Sequence, residues 1–211
     1  MPTLVLASTS PRRRELLSLL GIPFEVDDPD FVETITAGQS PIALARSFAL
    51  GKAQSCAAKR PDAVVVGSDT LIEVDGAVLG KPADSADARA MLRRLGGRGH
   101  LIHTAVAVVC AATGFSEAGS ETVHVQMRPF TDREIDDYVA SGECLGKAGA
   151  YSIQGAGGQL IERIAGDFPA AVGLPLRLTA GLLRKLGLVP VVDVEVLYSR
   201  KPYPNWERFA S

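Results

Sequence analysis

The stretch Thr3-Leu-Val-Leu-Ala7, followed at once by Ser8-Thr-Ser-Pro-Arg-Arg-Arg-Glu-Leu-Leu17, decides how this 211-residue chain is read. The apolar run predicts a short buried strand. Ser10 is placed as an N-cap, and Pro11 falls at the first helical position, where its missing N–H costs nothing. A helix from Pro11 to about Leu20 follows, with Arg12, Arg13 and Arg14 on its first turn. Cations there oppose the helix dipole, so local helix stability does not account for them. A bound anion does, because free N–H groups, serine hydroxyls and guanidinium forks would all turn toward it. The plainer reading is a capped surface helix with solvated arginines.

Outward from this opening, strands and helices mix without strict alternation. Gly21-Ile-Pro23 ends the first helix and Phe24–Val26 begins a second strand. Ser40-Pro41 repeats the cap-plus-proline start, and Ile42, Ala45, Ala49 and Ala53 follow with helical spacing. Ala63–Val66 reads as a strand ending at Gly67-Ser-Asp-Thr70, and Leu71–Leu79 as a hairpin about Asp75-Gly76. Ser85–Leu95 reads as a helix. His100–Ala111 and Phe115–Arg128 form one long ribbon, and Thr131-Asp-Arg-Glu134 is a capping box opening a helix to about Ser141. A glycine-studded stretch, Gly146–Gly158, precedes a strand at Gln159–Ile164, and Gly173-Leu-Pro175 opens the last helix, to about Leu186. The expected fold is α/β, a mixed sheet with long antiparallel strands.

Composition narrows the function. A formal charge of −2 gives no reason to expect a nucleic-acid-coating surface. Cys56, Cys110 and Cys144 lack metal-ligand or CxxC spacing and read as core residues of a protein from a reducing compartment. No membrane span or signal peptide is visible, so a soluble cytoplasmic protein is expected. His100, His103 and His124 lie in strand-like segments and form no metal-binding pair.

Five further segments carry candidate chemistry. Asp69, expected at the end of the Ala63–Val66 strand, could bind a divalent cation, polarise water or simply cap a turn. Lys81, on the Gly80-Lys-Pro82 corner, suits phosphate contact or a solvated loop. Lys52 is either inward-facing or snorkelling, and composition favours snorkelling. Glu33 lies in an acidic loop with Asp27, Asp28 and Asp30 that offers oxygen ligands to Mg²⁺ or Mn²⁺, or is merely solvated. Gln154, in Tyr151-Ser-Ile-Gln-Gly155, offers an amide that can read the edge of a base.

Taken together and in order, Leu-Ala-Ser-Thr-Ser-Pro-Arg-Arg (6–13), Gly-Ser-Asp-Thr (67–70), Gly-Lys-Pro (80–82), Ala-Gly-Ala-Tyr-Ser-Ile-Gln-Gly (148–155) and Val-Gly-Leu-Pro (172–175) resemble the Maf family of nucleoside triphosphate pyrophosphatases. The resemblance runs from Thr3 to about Leu188. It implies a bilobal fold similar to that of inosine triphosphate pyrophosphatases, and cleavage of a nucleoside triphosphate substrate to monophosphate and pyrophosphate with a divalent metal. On the matching positions it implies Asp69 as proton acceptor, Ser8, Arg12, Arg13, Lys52 and Lys81 on the phosphate side, and Glu33 near the metal with Asp69. Arg12, Thr70 and Gln154 match the base-selecting positions, in the form similar to the branch acting on dTTP and UTP. Alternatives are a pyrophosphatase for modified nucleotides such as 7-methyl-GTP, or a non-catalytic regulator of septum formation. Two departures stand out: Gly51 where many relatives have Glu, and Phe168-Pro169 where a Tyr-containing turn is frequent. Residues 1–188 therefore read as one domain and 189–211 as an extension. In the extension Val191–Leu197 alternates like an edge strand, and its aromatics suit docking on the body, docking on a second subunit in a homodimer, or a frayed terminus.

Overall fold

The computed structural model describes residues 2–35 and 38–209. The opening stretch folds as its sequence predicts: β1 (Leu4–Ala7) is buried throughout, and α1 (Pro11–Ser18) starts at the proline. β1 lies between two parallel partners, β2 (Phe24–Asp27) and β3 (Val64–Val74). A parallel strand covered on both faces has no polar side, which is why residues 4–7 are unbroken apolar. Beyond β3 the pairing turns antiparallel. β4 (Ala77–Leu79) folds back on β3, β5 (Gly99–Cys110) pairs with β3 from Val65↔Val109 to Glu73↔Leu101, and β6 (Phe115–Met127) pairs with all of β5. β7 (Ile161–Ala165) completes one seven-stranded sheet of order β2-β1-β3-β5-β6-β7, with β4 also on β3. The mixed sheet with a long antiparallel ribbon is the expected architecture.

Helices cover both faces. On one face α2 (Pro41–Lys59) lays Ala45, Phe48, Ala49, Ala53 and Cys56 on Val5, Ala7, Val65, Ala105 and Ala107. Its small residues let the helix approach the sheet closely. The other face carries the larger core, shared by α1, α3 (Ser85–Leu95), α4 (Asp132–Ala140), α5 (Phe168–Val172), α6 (Leu176–Lys185), α7 (Val194–Arg200) and α8 (Trp206–Phe209). Burial of each large aliphatic side chain there contributes about 1.5–3 kcal/mol. α4 begins at its capping box, in which the Glu134 N–H donates to Thr131 Oγ1 at 3.3 Å and the Thr131 N–H donates to Glu134 Oε2 at 2.7 Å. All three cysteines are free and buried, as expected of core residues. Among the described residues no helix is long and apolar enough to cross a membrane.

Several local expectations are corrected. β3 does not stop at Val66; it runs on through Gly67-Ser-Asp-Thr70. These polar residues stay in the strand because their side chains find partners: Ser68 Oγ donates to the Ala105 carbonyl at 2.8 Å and Thr70 Oγ1 lies 3.0 Å from Thr104 Oγ1. Asp69 is therefore mid-strand, opposite Ala105, and not at a strand end. Ser10 occupies the N-cap position without a side-chain cap bond; instead its N–H donates to Ser8 Oγ at 3.2 Å. The strand expected from Gln159 begins at Ile161, and the short helix α5 precedes the Gly173 turn. Val191–Leu197 is not an edge strand. Asp193 Oδ1 accepts from the Glu195 N–H at 2.9 Å and starts α7, so the cap overrides the alternation. Nor is the tail frayed over its described length: Tyr203, Trp206 and Phe209 are buried in the main core.

Candidate active site

The end of β1, the first turn of α1, the middle of β3, residues 28–33 and residues 145–154 enclose a cleft of about 770 Å³, well within the range of small-molecule sites. Ser8, Arg12, Arg13, Glu33, Lys52, Asp69, Thr70, Lys81 and Gln154 all line it. Residues scattered over 147 positions of sequence are thus gathered in one place.

Lys52 is the hub of the carboxylate side. Its helix packs flat on the sheet, so Lys52 points inward and is only 8% exposed. Nζ lies 2.6 Å from Asp69 Oδ1 and 2.5 Å from Glu33 Oε1. The snorkelling position that composition favoured is not adopted, because two carboxylates offset the cost of burying the ammonium. Burial raises the Asp69 carboxyl above the usual range, partly opposed by the charges of Lys52 and Arg13. Glu33 behaves oppositely. Its partial burial is outweighed by the Lys52 hydrogen bond and the charges of Lys52, Lys81 and Arg13, and its carboxyl falls below the usual range. Gly51, the residue that departs from Glu, makes room for the loop bearing Glu33: a Cβ there would overlap the Phe31 ring, which packs against Phe48 at 6.1 Å between centroids.

Arg13 holds the opposite wall. Nε donates to the Gly173 carbonyl at 3.1 Å, Nη1 to Ser8 Oγ at 3.4 Å and Nη2 to Thr70 Oγ1 at 3.3 Å. The direction of the proton chain beyond it can be deduced. Thr104 Oγ1 donates to the Ala170 carbonyl at 2.8 Å, so the Thr70 hydroxyl donates to Thr104 and accepts from Arg13. Arg12, on the same turn, lines the cleft without a hydrogen-bond partner among the described residues, and burial lowers the pKa of both guanidiniums. Lys81 sits exposed at the rim.

Three polar atoms in the described residues are buried without a partner: Asp69 Oδ2, Gln154 Oε1 and His100 Nδ1. The first two belong to cleft residues. Such groups are rare and costly, and a water, an ion, a ligand or a catalytic role is the ordinary explanation for them. Sequence reasoning missed two further lining residues. Lys147 donates from Nζ to the Glu143 carbonyl at 2.5 Å, and its ammonium is pushed down by burial and by Arg12. Tyr151 presents its hydroxyl to His100 Nε2 at 2.7 Å. Both lie in the glycine-studded stretch singled out for Gln154, which was the only available signal.

Residues 3–186 match a family described as Maf-like protein. The chain belongs to the Maf family. The dTTP/UTP pyrophosphatase of Symbiobacterium thermophilum is 47% identical over 189 residues, covering 89% of this chain and 95% of that protein. The 7-methyl-GTP pyrophosphatase of Albidiferax ferrireducens is 44% identical over 186 residues, covering 88% of this chain and 94% of that protein. Among solved structures, the Staphylococcus aureus Ham1 protein is similar with a TM-score of 0.42 and 18% identity, over 59% of this chain and 71% of that one. Every cleft residue named above lies inside the Maf match, whereas α7 and α8 lie beyond it. The second departure has a structural counterpart there: Phe168 opens α5 and its ring stacks on Trp206 of α8.

Proposed function

We propose that this cleft hydrolyses dTTP and UTP to the nucleoside monophosphate and pyrophosphate. The observation that carries the reading is the pair of unpartnered buried oxygens in one cleft, Asp69 Oδ2 and Gln154 Oε1. One suits a reacting water and the other a base.

The similarity values of 47% and 44% do not separate the two substrates named for the relatives. Hydrogen-bond chemistry favours one. Uracil and thymine present a carbonyl, an N–H and a second carbonyl. The Gln154 amide matches that edge, with Oε1 accepting from the ring N–H and Nε2 donating to a carbonyl. Guanine presents adjacent N–H donors, which suit the two acceptor oxygens of a carboxylate better than an amide. Arg12 supplies a further donor on the base side, and Thr70, whose hydroxyl proton is committed to Thr104, retains only acceptor capacity there.

The triphosphate lies against Ser8, Arg13, Lys52 and Lys81 in this reading. Asp69 Oδ2 orients a water toward the α-phosphorus and takes its proton. The new oxygen–phosphorus bond forms as the bond from the α-phosphorus to its bridging oxygen breaks, and pyrophosphate leaves. A raised carboxyl is a better base near neutral pH than an ordinary aspartate. Arg13, fixed by three hydrogen bonds, needs no reorganisation as charge develops. Glu33 would hold a divalent cation, Mg²⁺ or Mn²⁺, and Asp69 would join it as a ligand only in place of its role as base, because a bound cation lowers a carboxylate's basicity. Among the described residues no group of three or more metal-ligating side chains is gathered, and one or two carboxylates completed by phosphate oxygens and water are an ordinary Mg²⁺ arrangement. Such an ion withdraws charge from the phosphate. The cytoplasm, where buried thiols stay reduced, is the compartment we assign.

Hydrolysis of UTP in ¹⁸O-labelled water tests the reaction. Label in UMP with unlabelled pyrophosphate supports attack at the α-phosphorus. UDP with labelled orthophosphate rejects it.

A further inference from the structure

The C-terminal segment beyond the Maf match touches three walls of the cleft. On α1, Tyr203 Oη donates to Glu15 Oε2 at 2.6 Å, one turn beyond Arg12. On α5, Trp206 stacks over Phe168 with centroids 5.6 Å apart and rings 12° from parallel, and Tyr198 Oη donates to Asp167 Oδ1 at 2.5 Å. Asp167 Oδ2 in turn caps α5, the helix that leads to the Gly173 carbonyl holding Arg13. On the third wall, Asn205 Nδ2 donates to the carbonyls of Ile153 at 2.8 Å and Gly155 at 3.4 Å. Those two residues flank Gln154.

Asn205 is shaped for this contact. Its φ of +66° is a left-handed conformation that asparagine tolerates better than most residues. Gly158 leaves it space, since a Cβ there would stand 2.6 Å from Asn205 Nδ2. The far side of the same loop is tied independently: Glu143 accepts from the N–H groups of Ala156 and Gly157 at 3.0 and 3.1 Å. Gln154 Oε1 has no partner of its own, so the backbone on either side sets where the amide points. None of the segment's hydrogen bonds among the described residues reaches β3 or α2, which carry Asp69 and Lys52.

We propose that residues 198–209 brace the base pocket, and that Asn205 is a positioning residue that sets nucleobase discrimination through Gln154. This rests on the reading of Gln154 as the base contact. Through Asn205, which touches only the backbone beside Gln154, the brace should act on binding and selectivity and leave the hydrolytic step alone.

The test uses full-length protein with UTP and CTP, reading kcat, KM and thermal midpoint together. Asn205→Gly keeps the left-handed backbone without strain and removes both donors. Asn205→Asp keeps the shape but turns a carboxylate toward two carbonyls. In both, KM for UTP should rise and the UTP-over-CTP ratio of kcat/KM should fall, each by about tenfold, with kcat on UTP within about twofold. Tyr203→Phe should shift the same quantities less, in the same direction. Unchanged KM and ratio in both Asn205 variants overturn the proposal. So does a loss equal for both nucleotides, which would mark a purely structural contact. If neither Asn205 variant folds, Tyr203→Phe decides by the same two outcomes. Wild-type protein that turns over UTP while its variants keep the wild-type profile refutes the brace alone. Wild-type protein without UTP turnover refutes the underlying reading, and this inference with it, before any variant is made.

Discussion

Replacing Asp69 with Asn separates catalysis from stability. The residue is 4% exposed, with Oδ1 held by Lys52 at 2.6 Å and Oδ2 without a partner. Asn keeps the size and an acceptor for Lys52 but cannot take a proton from water, so kcat should fall at least ~100-fold, the scale of general-base removal. The effect on folding has two opposing parts. Removing one member of a buried ion pair costs about 3–5 kcal/mol when the other charge is stranded. Here Lys52 is not stranded, because Glu33 Oε1 lies 2.5 Å away. The raised Asp69 carboxyl means that the fold disfavours its charged form at neutral pH, so neutralising it relieves a burden. The two parts leave a net change within about 1 kcal/mol. Urea unfolding and UTP turnover on the same preparation check both halves. Near-normal turnover removes Asp69 from the mechanism. A drop of more than about 3 kcal/mol refutes the reasoning about Glu33, since it would mean that Lys52 depends on Asp69 alone.

Other outcomes follow from the same geometry. Activity should vanish in a strong chelator and return with Mg²⁺ or Mn²⁺; full activity in chelator excludes the metal. Gln154→Glu should lose its N–H donor and weaken dTTP and UTP alike by about ten- to a hundredfold in kcat/KM, and an unchanged profile would remove Gln154 from the base-selecting set. His100 is buried and its imidazole is pushed down to about 4. The unfolded chain takes up a proton below about pH 6.5 that the fold refuses, so stability is fully present above that pH and is lost by roughly 3 kcal/mol as pH falls toward 4. Urea midpoints between pH 7 and 4.5 measure this, and His100→Asn should flatten the curve; an equal slope in the variant would assign the loss to other groups.

Much of this was legible in sequence because local chemistry and tertiary packing agreed. Pro11, Pro41 and the Thr131–Glu134 box fix helix starts by local signals, a proline at the first position or a cap, and the long ribbon announces itself by length. Nine of the cleft residues stand out in the sequence as candidates, but only the fold shows that Lys52 bridges Glu33 and Asp69, since a helix's inward side is set by what it packs on. β3 ran past its predicted end because Ser68 and Thr70 are satisfied by residues 105 and 104, partners that no local window contains. The tail misled for the opposite reason. Val191–Leu197 alternates, yet Asp193 caps a helix and Trp206 finds Phe168, 38 positions upstream.

The most direct test of the central claim is a panel of dTTP, UTP, CTP, ATP, GTP and 7-methyl-GTP, with kcat/KM and products measured for each on wild-type protein. The account predicts dTTP and UTP ahead of both purines and of 7-methyl-GTP by at least about tenfold, with CTP poorer but not excluded, and monophosphate plus pyrophosphate as products. A preference for 7-methyl-GTP, or release of orthophosphate, would contradict it.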